Sequence, residues 1–361
     1  MKVYFLAIAF IGITGCIAFE TCPSTSCEDS CKNRCGQRFN PASLCQCNDH
    51  CERFQDCCKD YHLCRYVSDE PLESAPKPTS GSSEISSDTV LSNEEIKTIS
   101  EKLYKVDHNK AQEKDIKLNK QHLTSHTGGK DDYAPDPLYS HVNTELFSKP
   151  TYKCFIELLD NYDRKTGTGE AMSPEHLDEQ DSFLQEIMKT EVMKELYKFF
   201  HQKNMYHTQQ EFVADLKKMW FGLYSRSKSE QDSSGFEHVF VGEVKKGKVS
   251  GFHSWIRFYF LEKQGLVDYY SHNYDGPWRT YPDVLGKQFH WDGYFKEVGS
   301  AFIGSSPEFD FAIYTLCFVT RPNKKCKISL GGHPLSIQTY TWTKTTYANG
   351  KNYIATAYPT V

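Results

Sequence analysis

Apolar residues recur at helical spacing through the middle of the chain, then fall into near-alternation and short continuous runs toward its end. In LSNEEIKTISEKLYKVD, residues 91 to 107, Ile96, Ile99, Leu103 and Tyr104 lie three or four apart or side by side, which predicts an amphipathic helix. Ser92 or Asn93 serves as its N-cap and Glu95 stands in its first turn. TYKCFIELLDNY is a second such stretch. EQDSFLQEIMKTEVMKELYKFFHQKNM sets Phe183, Ile187, Val192, Leu196, Phe199 and Phe200 along one stripe, and EFVADLKKMWFGLYSR continues in the same style. These stripes are read as core. From Phe236 the grammar changes: EHVFVGEV, FHSWIRFYF, QFHWDGYF, EFDFAIYTLCFVT, IQTYTWTK and YIATAY read as strands. KKGK, GPW, RPNKK and ANGK supply the turns between them. The layout over residues 91 to 361 predicts an α+β fold, with a helical N-terminal half and an antiparallel β-sheet C-terminal half.

The first 90 residues obey different rules. MKVYFLAIAFIGITGCIA, residues 1 to 18, has one early lysine, an apolar run and small residues near Ala18, the form of a signal peptide. The run is short for a bilayer span, and no later stretch is apolar enough to make one. The expectation is a secreted, extracellular chain with no membrane span after processing. Ten cysteines follow between Cys22 and Cys64. Crowding of that order beside a secretion signal argues for disulfides rather than zinc, in a module of residues 20 to 66 too small to rest on an apolar core. Residues 67 to 90 are rich in Ser, Pro and acidic side chains and read as a flexible linker. Farther on, Cys317 and Cys326 flank a turn and can bridge, which leaves Cys154 as a buried thiol.

Charge narrows the function. The net charge of −5 argues against holding nucleic acid by overall positive charge. Between residues 237 and 297, eight Lys and Arg are matched by eight Asp and Glu, so any polyanion contact there is short and local. No Gly-X-Ser-X-Gly elbow is present, which leaves a serine hydrolase without its nucleophile.

One stretch carries more pointed chemistry. GFEHVFVGEVKKGKVSGFHSWIRFYF, residues 235 to 260, reads as two strands joined by a basic turn, with His238 on one arm and His253 on the other. A loop of odd length at KKGK puts the histidines on opposite faces; if KKGK turns as a two-residue loop at Lys246-Gly247, or as a four-residue one, facing residues have numbers that sum to 493. His238 then faces Trp255 and His253 faces Phe240, so all four share one side and the imidazoles stand roughly 7–8 Å apart as diagonal neighbours. That gap admits a phosphate. One imidazole can take the proton of a ribose 2′-OH while the other, protonated, hands a proton to the leaving 5′-oxygen. Charge growing on the phosphoryl oxygens calls for a fixed cation. By the same parity Glu237 and Glu243 point to the opposite side, in a supporting role.

Two resemblances follow from these motifs. CKNRCGQRFNPASLCQCNDHCERFQDCCKDYHLC, with Cys31, Cys35, Cys45, Cys47, Cys51, Cys57, Cys58 and Cys64, resembles a somatomedin B domain. Spacing alone leaves connectivity open; the resemblance implies Cys31–Cys47, Cys35–Cys64, Cys45–Cys58 and Cys51–Cys57, and a surface for an extracellular protein partner. GFEHVFVGE, SGFHSWIRFY, WDGYFKEVGSAFIGSSPEFDFAIYTL and IATAYP resemble the EndoU family, the XendoU-type animal endoribonucleases, over residues 91 to 361. That resemblance implies a catalytic trio of His238, His253 and Lys296, with His253 as base and His238 as acid, an order the sequence alone does not decide. It implies a uridine-reading hydroxyl at Ser300, an aromatic partner at Tyr358, and support from Glu237 and Glu243. It further implies a monomer that cuts single-stranded, uridine-containing RNA to 2′,3′-cyclic phosphate and 5′-hydroxyl ends, stimulated by Mn²⁺. No compact carboxylate cage is visible in the sequence, so no metal ligands are assigned. The competing expectation is an extracellular binding protein working through its cystine module, with an inert or merely RNA-binding large domain.

Overall fold

The computed structural model describes Cys31, Cys45, Cys47, residues 57–59, and residues 91–227, 230–348 and 350–361. The signal peptide and linker expected at 1 to 18 and 67 to 90, and Cys35, Cys51 and Cys64, lie outside the described residues. The described cysteines below residue 60 and the residues from 91 onward belong to two separate compact units. In the small unit Cys31 bonds Cys47 and Cys45 bonds Cys58, the pairings that the resemblance implied, and Cys57 is also disulfide-bonded.

The large unit begins with α1 (Asn93–Val106), capped as its sequence requires. The Ser92 side chain accepts from the backbone N–H of Glu95 at 3.2 Å, and Glu95 accepts from the N–H of Ser92 at 2.7 Å. Such a capping box satisfies two orphan donors and contributes about 1 kcal/mol. A two-stranded ribbon, β1 (Ile116–Leu118) with β2 (Tyr139–Val142), follows inside the half expected to be helical. Then come α2 (Pro150–Glu157), α3 (Pro174–Met188), α4 (Glu191–Gln202) and α5 (Gln209–Phe221), each on an expected apolar stripe. The third stripe makes two helices because Thr190 caps a new one after Lys189. Its buried residues Phe183, Ile187, Val192, Leu196 and Phe200 are core, as expected.

The C-terminal half holds two sheets. Five strands run in the order β3-β4-β7-β6-β5: β3 (Glu243–Lys245), β4 (Lys248–Ser250), β5 (Val267–Asp275), β6 (Asp283–Trp291) and β7 (Tyr294–Ile303). Three more, β8 (Lys325–Leu330), β9 (His333–Tyr347) and β10 (Lys351–Pro359), form an antiparallel sheet in the order β10-β9-β8. All ladders are antiparallel except β4 against β7, joined in parallel at Lys248 and Phe295.

Two expected strands are helices. FHSWIRFYF forms α6 (Trp255–Lys263), capped by the Ser254 hydroxyl on the N–H of Arg257 at 3.2 Å. EFDFAIYTLCFVT forms α7 (Pro307–Thr320), with Pro307 in its first turn and Ser306 accepting from the N–H of Phe309 at 3.1 Å. Residues 307 to 318 of α7 are buried on every side. A helix wrapped by core has no polar face, so its apolar run carries no period to tell it from a buried strand. The discriminating signals were Ser254 and the Ser306-Pro307 pair, which start helices.

Cys317 at the end of α7 bonds Cys326 on β8, as expected. Cys154 is buried but disulfide-bonded, which corrects its reading as a thiol. Among the described residues no helix is long and apolar enough to cross a membrane.

Candidate active site

The expected hairpin exists, in the expected register, and does not contain the histidines. Glu243 pairs with Ser250, Val244 with Val249 and Lys245 with Lys248, each pair summing to 493. Lys246 and Gly247 turn the chain with φ of 51° and 74°, the two positive values that a type I′ turn needs. Beyond these three pairs the ladder stops. Residues 237 to 241 wind into a single π-helical turn, closed by the N–H of Gly242 donating to the carbonyl of Glu237 at 2.8 Å. His253 lies in the loop that leads into α6. Trp255 and Phe240, expected beside the imidazoles, are instead in the core: the Trp255 indole donates to the Ser305 carbonyl at 2.9 Å and Phe240 stacks on Trp220.

Backbone contact nevertheless brings the two histidine segments together. The N–H of Phe252 donates to the carbonyl of His238 at 2.9 Å, and that of His253 to the carbonyl of Val239 at 2.6 Å. So close an approach needs glycine. A Cβ on Gly251, whose φ is +67°, would sit 1.8 Å from the His238 carbonyl oxygen; one on Gly242, φ +89°, would meet Phe252 at 2.8 Å. The result is that His238, His253, Lys296, Ser300 and Tyr358, all five candidates, line one cleft of about 590 Å³.

Each imidazole is held by its Nδ1. In His238 it lies 2.7 Å from a carboxylate oxygen of Glu243. In His253 it lies 2.7 Å from the backbone carbonyl of Ser300. Both partners accept only, so both rings carry the proton on Nδ1 and leave Nε2 for a ligand. The His253 ring also stacks on Tyr358, centroids 5.1 Å apart and planes inclined 19°. Glu243 corrects the parity argument. Because the chain turns helically before it, the buried carboxylate comes back to His238 rather than facing away. Its other oxygen lies 3.1 Å from Arg226 Nε and accepts from the Ser233 hydroxyl. Burial pushes Glu243 up, but His238, Arg226 and Ser233 outweigh it and hold the carboxyl below its ordinary range. Glu237 is different: fully buried, both oxygens without a partner, and raised well above the carboxylate range by burial and by Glu243 and Glu170. Its burial and the neighbouring carboxylates favour the neutral form.

The cleft's own groups shift one another's ionisation. Burial, then Arg226, lowers His238 to about 4 despite Glu243. Burial and Lys296 hold His253 well below its usual value. Burial brings Lys296 down to about 8. An entering phosphate anion reverses the sign of these effects, favouring the charged form of each group.

Sequence reasoning passed over Lys287 on β6. It is fully buried, its ammonium nitrogen has no hydrogen-bond partner, and it sits 4.9 Å from the centroid of Phe258. Burial and Lys296 lower it to about 7. Lys325, Gln338, Tyr340 and Thr356 also line the cleft and were not singled out; the polar alternation in QTYT was the available signal.

The Mn²⁺ expectation finds no protein cage here. Among the described residues the metal-ligating atoms that converge within 4.8 Å are those of Cys31, Cys47 and Cys58. All three are consumed by disulfides, and a hard divalent ion takes oxygen ligands.

Comparison with known proteins agrees with the fold. The Somatomedin B domain family matches residues 29–65. The uridylate-specific endoribonuclease of Homo sapiens is 60% identical over 335 residues, covering 92% of this chain and 78% of that protein. That of Bos taurus is 59% identical over 345 residues, 94% and 80% of the two chains. One from Paralichthys olivaceus is 48% identical over 376 residues, covering 96% and 98%. The solved structure of XendoU, described as a splicing-independent snoRNA-processing endoribonuclease, superposes with a TM-score of 0.60 at 36% identity over 73% of this chain and 96% of that one. The family described as Endoribonuclease XendoU matches residues 95–359, and the chain belongs to it.

Proposed function

We propose that this protein is a secreted endoribonuclease that cuts single-stranded RNA at uridylates. The observation that carries the reading is the shared cleft: two imidazoles with committed Nδ1 atoms and one half-buried ammonium line a single cleft. His253, whose Nδ1–H is spent on the Ser300 carbonyl, takes the 2′-OH proton on Nε2. The 2′-oxygen forms a bond to phosphorus as the bond from phosphorus to the 5′-oxygen breaks. His238 as imidazolium gives that oxygen its proton; the Glu243 carboxylate favours this charged form, which supports His238 as the acid. Lys296 offsets the charge that builds on the phosphoryl oxygens. The products are a 2′,3′-cyclic phosphate and a 5′-hydroxyl. The Ser300 hydroxyl reads the uracil edge and Tyr358 flanks base or sugar. Stimulation by Mn²⁺ acts on this reading through RNA phosphates. The apolar opening and the disulfides support secretion, and the cystine module supports an extracellular protein partner.

The test is a fluorescent oligodeoxynucleotide with one ribouridine. Cleavage at that position, lost in His253→Ala and with the all-deoxy strand, is expected. Cleavage of the deoxy strand would overturn the mechanism. Repeating the assay in EDTA checks the role of the ion.

A further inference from the structure

The basic turn KKGK has no part in the chemistry above. It closes the β3–β4 hairpin, where Lys245 pairs with Lys248 across Lys246 and Gly247. On one side of the hairpin the segment through Lys165 runs alongside β3: the N–H of Val244 donates to the carbonyl of Arg164 at 2.6 Å, and that of Thr166 to the carbonyl of Val244 at 3.2 Å. On the other side β4 lies against β7, the strand that carries Lys296 and Ser300. Arg164, Lys165, Lys245, Lys246 and Lys248 therefore gather at one end of the sheet. Arg164 is paired with Asp292 and Lys248 with Glu297, whereas Lys165, Lys245 and Lys246 make no ion pair among the described residues. The Asp163 carboxylate beside them accepts from the backbone N–H of Lys165 at 2.8 Å. Lys246 is the pointed case. It is exposed, with φ of 51°, in the first central position of the turn, where Asn, Asp or Gly is preferred. A lysine takes on the left-handed strain without the local hydrogen bond that makes Asn or Asp tolerable there. Breaking a local rule with no structural return is the mark of a functional position. Lys248 stands three residues before Gly251, which lines the cleft. At about 3.3 Å per residue its Cα is no more than about 10 Å from the cleft wall, beyond the reacting phosphate and near others on the same strand. The whole chain carries −5, so a polyanion must be held by a local group such as this one.

We propose that the tip of this hairpin, with Lys165 beside it, holds the RNA backbone outside the cleft, taking phosphates on one side of the cut. The proposal rests on the reading of the cleft as an RNA site. Ammonium groups position a strand by its phosphates and read no base, so the tip adds affinity for longer strands and no sequence preference.

The experiment compares two substrates of the full chain, a dinucleotide and a long oligodeoxynucleotide, each with one ribouridine. In the double variant Lys245→Gln, Lys246→Gln, kcat/KM on the dinucleotide should match the wild type and on the long strand should fall. Anisotropy of the long strand with 2′-deoxyuridine at the cut position, across a salt series, should show the slope of log affinity against log salt reduced by about 1.4, or about 0.7 per lysine. The gap to wild type then narrows roughly sevenfold between 50 and 200 mM salt. Lys246→Asn should bind the long strand more weakly and yet raise the urea midpoint, because asparagine suits the turn. The loss should appear with strands extended on one side of the ribouridine and not with those extended on the other. An unchanged salt slope, an equal loss on the dinucleotide, or an equal loss with either extension overturns the site. So does a loss of heparin binding with RNA binding intact, which gives the tip to a sulfated polysaccharide instead. If the wild type neither binds the long strand nor cuts its ribouridine form, the RNA reading falls as well; cleavage by wild type with an inert hairpin tip sinks this site alone.

Discussion

The carboxylate of Glu243 lies 2.7 Å from Nδ1 of His238 while remaining bound to Arg226 and Ser233. It therefore fixes the tautomer of His238 and stabilises the imidazolium when the ring gains a second proton. Glu243→Gln keeps the shape and loses the charge. It should lower kcat on a single-ribouridine substrate on the order of 10²–10⁴-fold, the scale seen when the acidic partner of a catalytic histidine is made an amide, with KM little changed. A loss below about threefold would show that the carboxylate only packs.

On the proposed mechanism, Lys296 is expected to set the alkaline side of the pH profile. Burial lowers it to about 8, so the ammonium is present below that pH and is lost as pH rises through it. Cleavage by the wild type should decline above pH 8. In Lys296→Arg the cation persists past pH 12, so the decline should vanish even though the altered geometry slows the reaction. Matching alkaline limbs in both enzymes would assign the titration elsewhere.

Gly251 is where the two histidine segments touch. Gly251→Ala would place its Cβ 1.8 Å from the His238 carbonyl in a left-handed backbone. Thermal and urea denaturation should show a loss of more than about 2 kcal/mol, together with loss of cleavage. Gly128→Ala, with nothing within 4 Å of the new atom, is the control and should be neutral in both.

Lys287 carries a stability cost whose sign can be worked out. Its folded value, about 7, lies below the ordinary 10.5, so between those values the unfolded chain binds more protons and stability rises with pH. Below pH 7 the buried charge imposes its full penalty; above 10.5 it imposes none. The facing groups are Lys296 on β7, Glu262 on α6 and His253 in the loop before it. Lys287→Met should stabilise the protein at pH 6 by about 1–4 kcal/mol, the range for exchanging buried charge for apolar volume. Denaturant midpoints measured up to pH 10 should show that gain shrinking.

The legible parts of the fold were those where a polar face contrasts with an apolar one. Ser92 and Glu95 announced α1, and the stripe through Phe183 and Leu196 announced α3 and α4. The register of β3 with β4 matched the even-length loop at Lys246-Gly247, one of the turns that KKGK allows. α7 was read as a strand because burial on all sides erased its period, and α6 because its short aromatic and β-branched run suits either element. The site was legible as residue types: His238, His253 and Lys296, which the proposed chemistry requires, line one cleft. Their surroundings were not, since Glu243 was placed by strand parity in a segment that winds as a π-turn.

The sequence by itself determined the two-part organisation, the disulfide chemistry of the small module, the α+β class and the residue types that the cleft gathers, because composition, spacing and capping are local properties. The tertiary structure decided that His253 hangs from the Ser300 carbonyl, that Glu243 returns to His238, that an unpaired Lys287 is buried in the core, and that Tyr340 stands exposed on the cleft face. Each of these depends on chain segments dozens of residues apart, or on a backbone turn, meeting at hydrogen-bond distance, and no local pattern encodes such a meeting.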